Sequence, residues 1–213
     1  MRPATDDREV RAVGNRPSHP EAPSDGPLRI GVIVGSTRPG RRAPAVAHWT
    51  AQVAIQHLGE AVEVQVLDLA RFALPLLDEN VPAALGEYER PHTRRWAQAV
   101  GACDGFVFVT PEYNHSLPAA LKNALDFVYA EWHNKAAGIV GYGVDGGVRA
   151  VEHLRQVLAE LQVADVRTAV TLVLPEDFTG DGLSPRAFQA ERVRRVADEV
   201  LTWSRALHSL RAR

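Results

Sequence analysis

Three short segments carry the residue types that could do chemistry. The first is Gly35-Ser36-Thr37-Arg38-Pro39-Gly40-Arg41-Arg42-Ala43. Its two glycines permit a tight backbone path, its hydroxyls offer donors, and its three arginines offer charge-assisted hydrogen bonds. A segment of this kind that leads a strand into a helix also presents unpaired N–H groups and the positive end of the helix dipole. The guest that suits it is a phosphate monoester. Gly35 and Gly40 have the glycine spacing of a nucleoside-triphosphate P-loop. That motif next requires Lys and then Ser or Thr, and Arg41 and Arg42 stand there instead, which argues against an NTPase.

The second segment is Thr110-Pro111-Glu112-Tyr113-Asn114-His115-Ser116-Leu117-Pro118. Two prolines stiffen it, Tyr113 offers an aromatic surface, and Asn114 both donates and accepts. Such a loop can turn its backbone N–H groups toward a flat heterocycle. It equally suits a rigid βα turn in which Asn114, His115 or Ser116 caps the next helix. The third segment, Gly141-Tyr142-Gly143-Val144-Asp145-Gly146, matches the G-x-G-x-x-G pattern of dinucleotide-binding folds. It follows the fourth predicted strand rather than the first. The acidic residue expected at the end of the next strand would be Glu176, farther on than the usual ~20 residues. Its glycines suit close approach of backbone to a ligand better than a dinucleotide fingerprint.

Other reactive side chains have plainer readings. The eight histidines are scattered, with no pair at metal-ligand spacing beside carboxylates, so no metal is expected. His115 adjoins the second segment and suits a structural or substrate-contact role. Cys103 precedes an apolar strand and is expected to be buried and inert. Tyr129 and Trp132 fit a pocket, a dimer contact or the core. No Ser-His-Asp arrangement is supported by the order of elements, and no side chain is assigned as catalytic.

The elements that must position these segments alternate strictly. Residues 28–34 (LRIGVIV), 104–110 (DGFVFVT) and 136–142 (AAGIVGY) are short apolar runs that read as strands buried on both faces. Residues 62–68 (VEVQVLD) alternate more cleanly, as nearer a sheet edge, and 165–174 read as a fifth strand. Helical spacing marks 44–58, 88–101, 118–130, 148–162 and 185–210, with a proline-containing stretch over 72–87. This βα alternation implies an α/β fold: one five-stranded parallel sheet, order 2-1-3-4-5, with helices on both faces. A ligand crevice is then expected at the carboxyl ends of strands 1 and 3, where the first two segments lie.

The bulk properties agree. The 213 residues suit one well-buried domain, expected over 28–213. Residues 1–27, rich in Pro, Arg, Asp and Ser, read as a disordered tail without the apolar block of a secretory signal. A net charge of −2 gives no reason to expect nucleic acid or an anionic membrane as partner. No apolar run approaches the ~20 residues of a membrane helix. The single cysteine allows no intrachain disulfide and suits a reducing cytoplasm. Lysine occurs only at Lys122 and Lys135.

Taken together, GSTRPGR (35–41) and PEYNHSLPAALKNALDF (111–127) closely resemble the NADPH-dependent FMN reductase family, which includes quinone, azo and chromate reductases of flavodoxin-like fold. The resemblance runs from about Leu28 to the last helix. It implies that Ser36, Thr37, Arg38, Gly40 and Arg41 hold an FMN phosphate. It implies that Pro111, Glu112, Tyr113 and Asn114 line the isoalloxazine ring, largely through backbone groups. Gly143, Gly146 and Gly147 would approach the ring's other edge. It further implies NADPH or NADH as co-substrate, a small-molecule electron acceptor, and a homodimer or higher homo-oligomer, with Lys122 and Asp126 either solvated or at the interface. Flavodoxins proper have a Ser/Thr-rich phosphate loop without arginine, so this loop favours a reductase over a one-electron carrier. The same residues also suit two alternatives: a reductase that releases reduced FMN to a partner monooxygenase, and a non-enzymatic FMN-binding electron-transfer or regulatory protein.

Overall fold

In a computed structural model that describes residues 27–180 and 182–211, five parallel strands form one sheet in the order β2-β1-β3-β4-β5. They are β1 (Leu28–Val34), β2 (Val62–Asp68), β3 (Gly105–Pro111), β4 (Lys135–Gly143) and β5 (Val163–Val173). The expected tail lies outside the described residues except for Pro27. Every residue of β3 and β4 is buried, whereas β2 and β5 expose side chains as edge strands do.

Successive side chains of a strand point to opposite faces, and this splits the core in two. Val32 and Val34 of β1 and Val107 and Val109 of β3 pack against α1 (Ala43–Leu58) and α7 (Ala187–Arg211). Ile33, Phe106 and Phe108 face the other way, toward α3 (Pro91–Gly101), α4 (Ala119–Asp126) and α5 (Val148–Glu160). Trp96 and Trp132 anchor that second layer, both fully buried, with indole N–H groups that donate to the carbonyls of Ala124 and Leu125. Trp132 and Tyr129 therefore belong to the core and its margin.

The structure departs from the sequence expectation in a few places. The helix expected over 118–130 ends at Asp126, and Ala130–Trp132 form a separate 3-10 turn. The helix expected from 88 begins at Pro91, which suits the first turn because it lacks an N–H. A four-residue helix, α2 (Leu69–Phe72), is capped by the Asp68 carboxylate, which accepts from Ala70 N–H at 3.1 Å. Between β5 and α7 stand a short helix, α6 (Leu174–Asp177), and a small antiparallel hairpin, β6 (Phe178–Thr179) with β7 (Gly182–Leu183). The hairpin strands are too short to leave a periodic signal. Among the described residues no helix is long and apolar enough to cross a membrane.

Candidate functional site

All three segments lie at the carboxyl end of the sheet. The first loop leaves β1 with Gly35 N–H donating to Val109 O at 2.8 Å, which carries the sheet ladder one residue further. The run Arg38-Pro39-Gly40-Arg41 then turns. Arg41 N–H donates to Arg38 O at 3.2 Å, and Gly40 has φ 68°. Proline second and a left-handed glycine third are the chemistry of a type II turn. The turn delivers Arg42 to the N-cap position of α1.

The first and second loops are joined. The buried Ser36 hydroxyl and the Tyr113 hydroxyl share a hydrogen bond of 2.8 Å, and the Arg38 guanidinium lies over the Tyr113 ring at 5.7 Å. The second loop reverses tightly: Tyr113 N–H donates to Ser116 O at 2.9 Å and Ser116 N–H to Tyr113 O at 3.1 Å. Between them Asn114 and His115 both take left-handed conformations, φ 49° and 66°, as the central pair of a type I′ turn does. Asn tolerates that region through its short polar side chain. His115 is exposed at the tip, while Ser116 Oγ meets His153 Nδ1 at 3.0 Å.

Glu112 ties the second loop to the third. Its carboxylate accepts from the backbone N–H of Arg149 at 3.0 Å and from the Arg149 guanidinium at 2.7 Å, so it serves as the acceptor at the amino end of α5. Burial pushes the Glu112 carboxyl up, but the side-chain and backbone bonds from Arg149 outweigh it and hold the group below the usual carboxylate range. In the third loop Gly147 has φ 74°, and a Cβ there would stand 2.6 Å from Tyr142 N. Only glycine fits this close return of the chain onto β4.

These loops enclose a cavity of about 530 Å³ lined by Arg38, Arg42, Pro111, Glu112, Tyr113, Tyr142, Gly143, Leu174, Pro175, Phe178 and Gly180. Of the residues singled out in the sequence, Arg38, Pro111, Glu112, Tyr113 and Gly143 thus meet around one space. Ser36 lies beneath it. Thr37 opens instead on a separate cavity of about 240 Å³ beside Leu69, Ala73 and Asn123. Asn114, Gly146 and Gly147 shape their loops without lining the cavity. Arg41 turns its guanidinium toward Asp68, with Nη2 to Oδ2 at 2.7 Å, while its buried Nε meets no acceptor among the described residues. Buried N–H groups are rarely left unpaired, so this one marks room for an acceptor beside the turn. The sequence reading missed the wall formed by Leu174, Pro175, Phe178 and Gly180. Phe178, an isolated aromatic beyond the fifth strand, was its only visible sign.

Cys103 is buried, and burial pushes its thiol up to about 11, which agrees with an inert role. Lys122 and Asp126 form an exposed i, i+4 pair at 2.7 Å. Among the described residues no group of three or more His, Cys, Asp or Glu could hold a metal ion.

Comparison with known proteins identifies the family. The family model for NADPH-dependent FMN reductase matches residues 28–175. The NAD(P)H-dependent FMN reductase LOT6 of Saccharomyces cerevisiae is 40% identical over 166 residues, covering 71% of this chain and 87% of that protein. A 2-hydroxy-1,4-benzoquinone reductase of Burkholderia sp is 33% identical over 143 residues, covering 64% of this chain and 73% of that protein. Among solved structures, the flavoenzyme NAD(P)H:(acceptor) oxidoreductase FerB of Paracoccus denitrificans superposes with a TM-score of 0.64 over 84% of this chain and 98% of that one, at 23% identity. That last likeness establishes the flavodoxin-like fold alone. The chain belongs to the NADPH-dependent FMN reductase family, and it is an oxidoreductase.

Proposed function

We propose that this protein binds FMN in the 530 Å³ cavity and uses NADPH or NADH to reduce a quinone-type acceptor. The observation that carries the reading is the union of an arginine-bearing turn with an aromatic loop across one cavity, joined by the Ser36–Tyr113 hydrogen bond of 2.8 Å. FMN needs both an anion cradle and a flat wall. The cradle is the turn at the amino end of α1, where Arg38, backbone N–H groups and the unpaired Arg41 Nε would hold the phosphate. The wall is Pro111–Asn114, with Gly143 to Gly147 at the other edge. When bound, FMN supplies the two-electron chemistry, taking a hydride from the nicotinamide and passing it to the acceptor. The chain's own part is placement. Tyr113 is held by Ser36, and Glu112 locks the second loop to α5, so the ring wall is rigid before a ligand arrives.

The quinone class is supported by relatives named as quinone reductases, from Burkholderia sp and Escherichia coli. The same reading has the protein working as a homodimer or higher homo-oligomer in the cytoplasm, with no nucleic acid or membrane partner. The test is direct. Arg38→Ala is expected to weaken FMN binding by ten- to a hundredfold, as loss of one charge-assisted bond does, with the fold intact. Titration of FMN fluorescence quenching measures it, and an unchanged affinity would remove the phosphate assignment. NADPH oxidation run against a panel of quinones, azo compounds and free flavin identifies the acceptor class.

A further inference from the structure

The hairpin of β6 and β7 lies beyond the region matched by the family, which ends at residue 175. Two strands of two residues each cannot hold themselves together in water. Two anchors hold this one. The foot is Asp177, a fully buried carboxylate. It accepts from Val173 N–H at 2.8 Å, from Arg186 N–H at 2.9 Å and Nη2 at 2.9 Å, and from Gln189 Nε2 at 3.2 Å. The Asp177 carbonyl accepts from Ser184 N–H at 2.8 Å, which closes the base.

The other anchor is Arg42, which lines the cavity from the amino end of α1. Its Nη2 donates to Gly180 O at 2.6 Å, and its guanidinium lies over the Phe178 ring at 5.2 Å. Phe178 in turn packs on Tyr142, ring centroids 5.9 Å apart. β1 and β5 are separated in the sheet by β3 and β4, so this contact spans the ends of both central strands. The hairpin runs from the edge strand back to the amino end of α1, where the phosphate cradle lies.

We infer that the β6–β7 hairpin is a strap across the flavin site, latched by Arg42, and that it governs how tightly FMN is retained. The inference rests on the flavin reading above. Phe178 supplies an apolar wall to the cavity that Tyr113 also lines. Among the described residues, Arg42 holds the strap by stacking on Phe178 and by donating to the Gly180 carbonyl. A retained cofactor needs such a cover, whereas a flavin that is released in each turnover does not.

The test measures flavin release from the loaded full-length protein by recovery of FMN fluorescence on dilution, and affinity for FMN and riboflavin by quenching. Phe178→Ala and Arg42→Ala are each expected to speed FMN release roughly tenfold or more, as loss of one packed aromatic contact does. The double variant is expected to be no faster than the faster single, because both break one device. Riboflavin affinity is expected to fall with FMN affinity in both singles, since the strap covers the ligand rather than its phosphate. If Arg42→Ala weakens FMN and spares riboflavin, Arg42 is a phosphate ligand and the latch is overturned. Unchanged release in both singles overturns the strap as well. Phe178→Leu keeps the apolar volume and replaces Phe178→Ala should that variant not fold; it is expected to release FMN faster than wild type, because the ring stacked by Arg42 is gone. If Arg38→Ala loses FMN while the strap variants do not, the flavin reading stands and the strap falls. If the wild type binds no FMN, both fall.

Discussion

Glu112 shows how much a single side chain can depend on distant partners. Its place in the second loop marks it as a wall residue. Its carboxylate, however, turns away to the amino end of α5 and meets Arg149, 37 positions along the chain. No local spacing reports that pairing. Replacing the carboxylate by an amide in Glu112→Gln is expected to cost about 2 kcal/mol, the range for hydrogen bonds to a charged group, and urea unfolding at pH 7 measures it. The loss should depend on pH. The Glu112 carboxyl is held below its ordinary value of 4.5, so its contribution is complete above that value and fades as pH falls through the lowered one. Wild type and Glu112→Gln should therefore converge in acid. Arg41 carries the same lesson. The turn that presents it was legible from Arg-Pro-Gly-Arg, whereas the pairing of its guanidinium with Asp68 was not.

At the scale of elements, the strands and the first two loops were readable because their signals are local. Apolar runs of seven residues, prolines at helix starts and a left-handed glycine after Arg-Pro each act on neighbours in the chain. Local signals fail where packing overrides local preference. The helix after the second loop stops at Asp126, and beyond it Trp132 packs into the core against Phe106. The strap left no pattern, since two-residue strands are below any period. The third loop offers an element-scale prediction. Gly147 opens α5 at φ 74°, with space for no Cβ against Tyr142 N. Gly147→Ala is expected to destabilise the protein by about 2 kcal/mol or more and to lower FMN affinity, because the loop must move off β4. Thermal unfolding and flavin quenching together check it, and a variant as stable and as tight as wild type would contradict the close packing of this loop.

For the whole molecule, the two ends of the sheet have different tasks. The carboxyl end gathers the loops and the cavity. At the opposite end Lys135 opens β4, almost fully buried, with its ammonium donating to the carbonyls of Val100 at 2.8 Å and Gly101 at 3.3 Å. Burial lowers its value from 10.5 to about 8. Above about pH 8 the folded chain therefore carries fewer protons than the unfolded chain, and stability should climb with pH by up to about 1.4 kcal/mol per unit. Burial of Cys103 raises its thiol from 9.0 to about 11 and works in the opposite sense, so the climb belongs between pH 8 and 9. Lys135→Met should flatten that window without altering FMN affinity, and denaturant unfolding at a series of pH values measures it. By itself the sequence determined the fold class, the alternation of strands and helices, the turn after β1 and the loop after β3, because each follows from periodicity or turn chemistry within a few neighbouring residues. The tertiary structure alone decided which side chains meet. Glu112 caps α5, Thr37 opens on a second cavity, and Arg42 reaches Gly180 across 138 positions of chain. Such pairings arise from the closing of the sheet and its helices around one core, and no spacing along the chain encodes them.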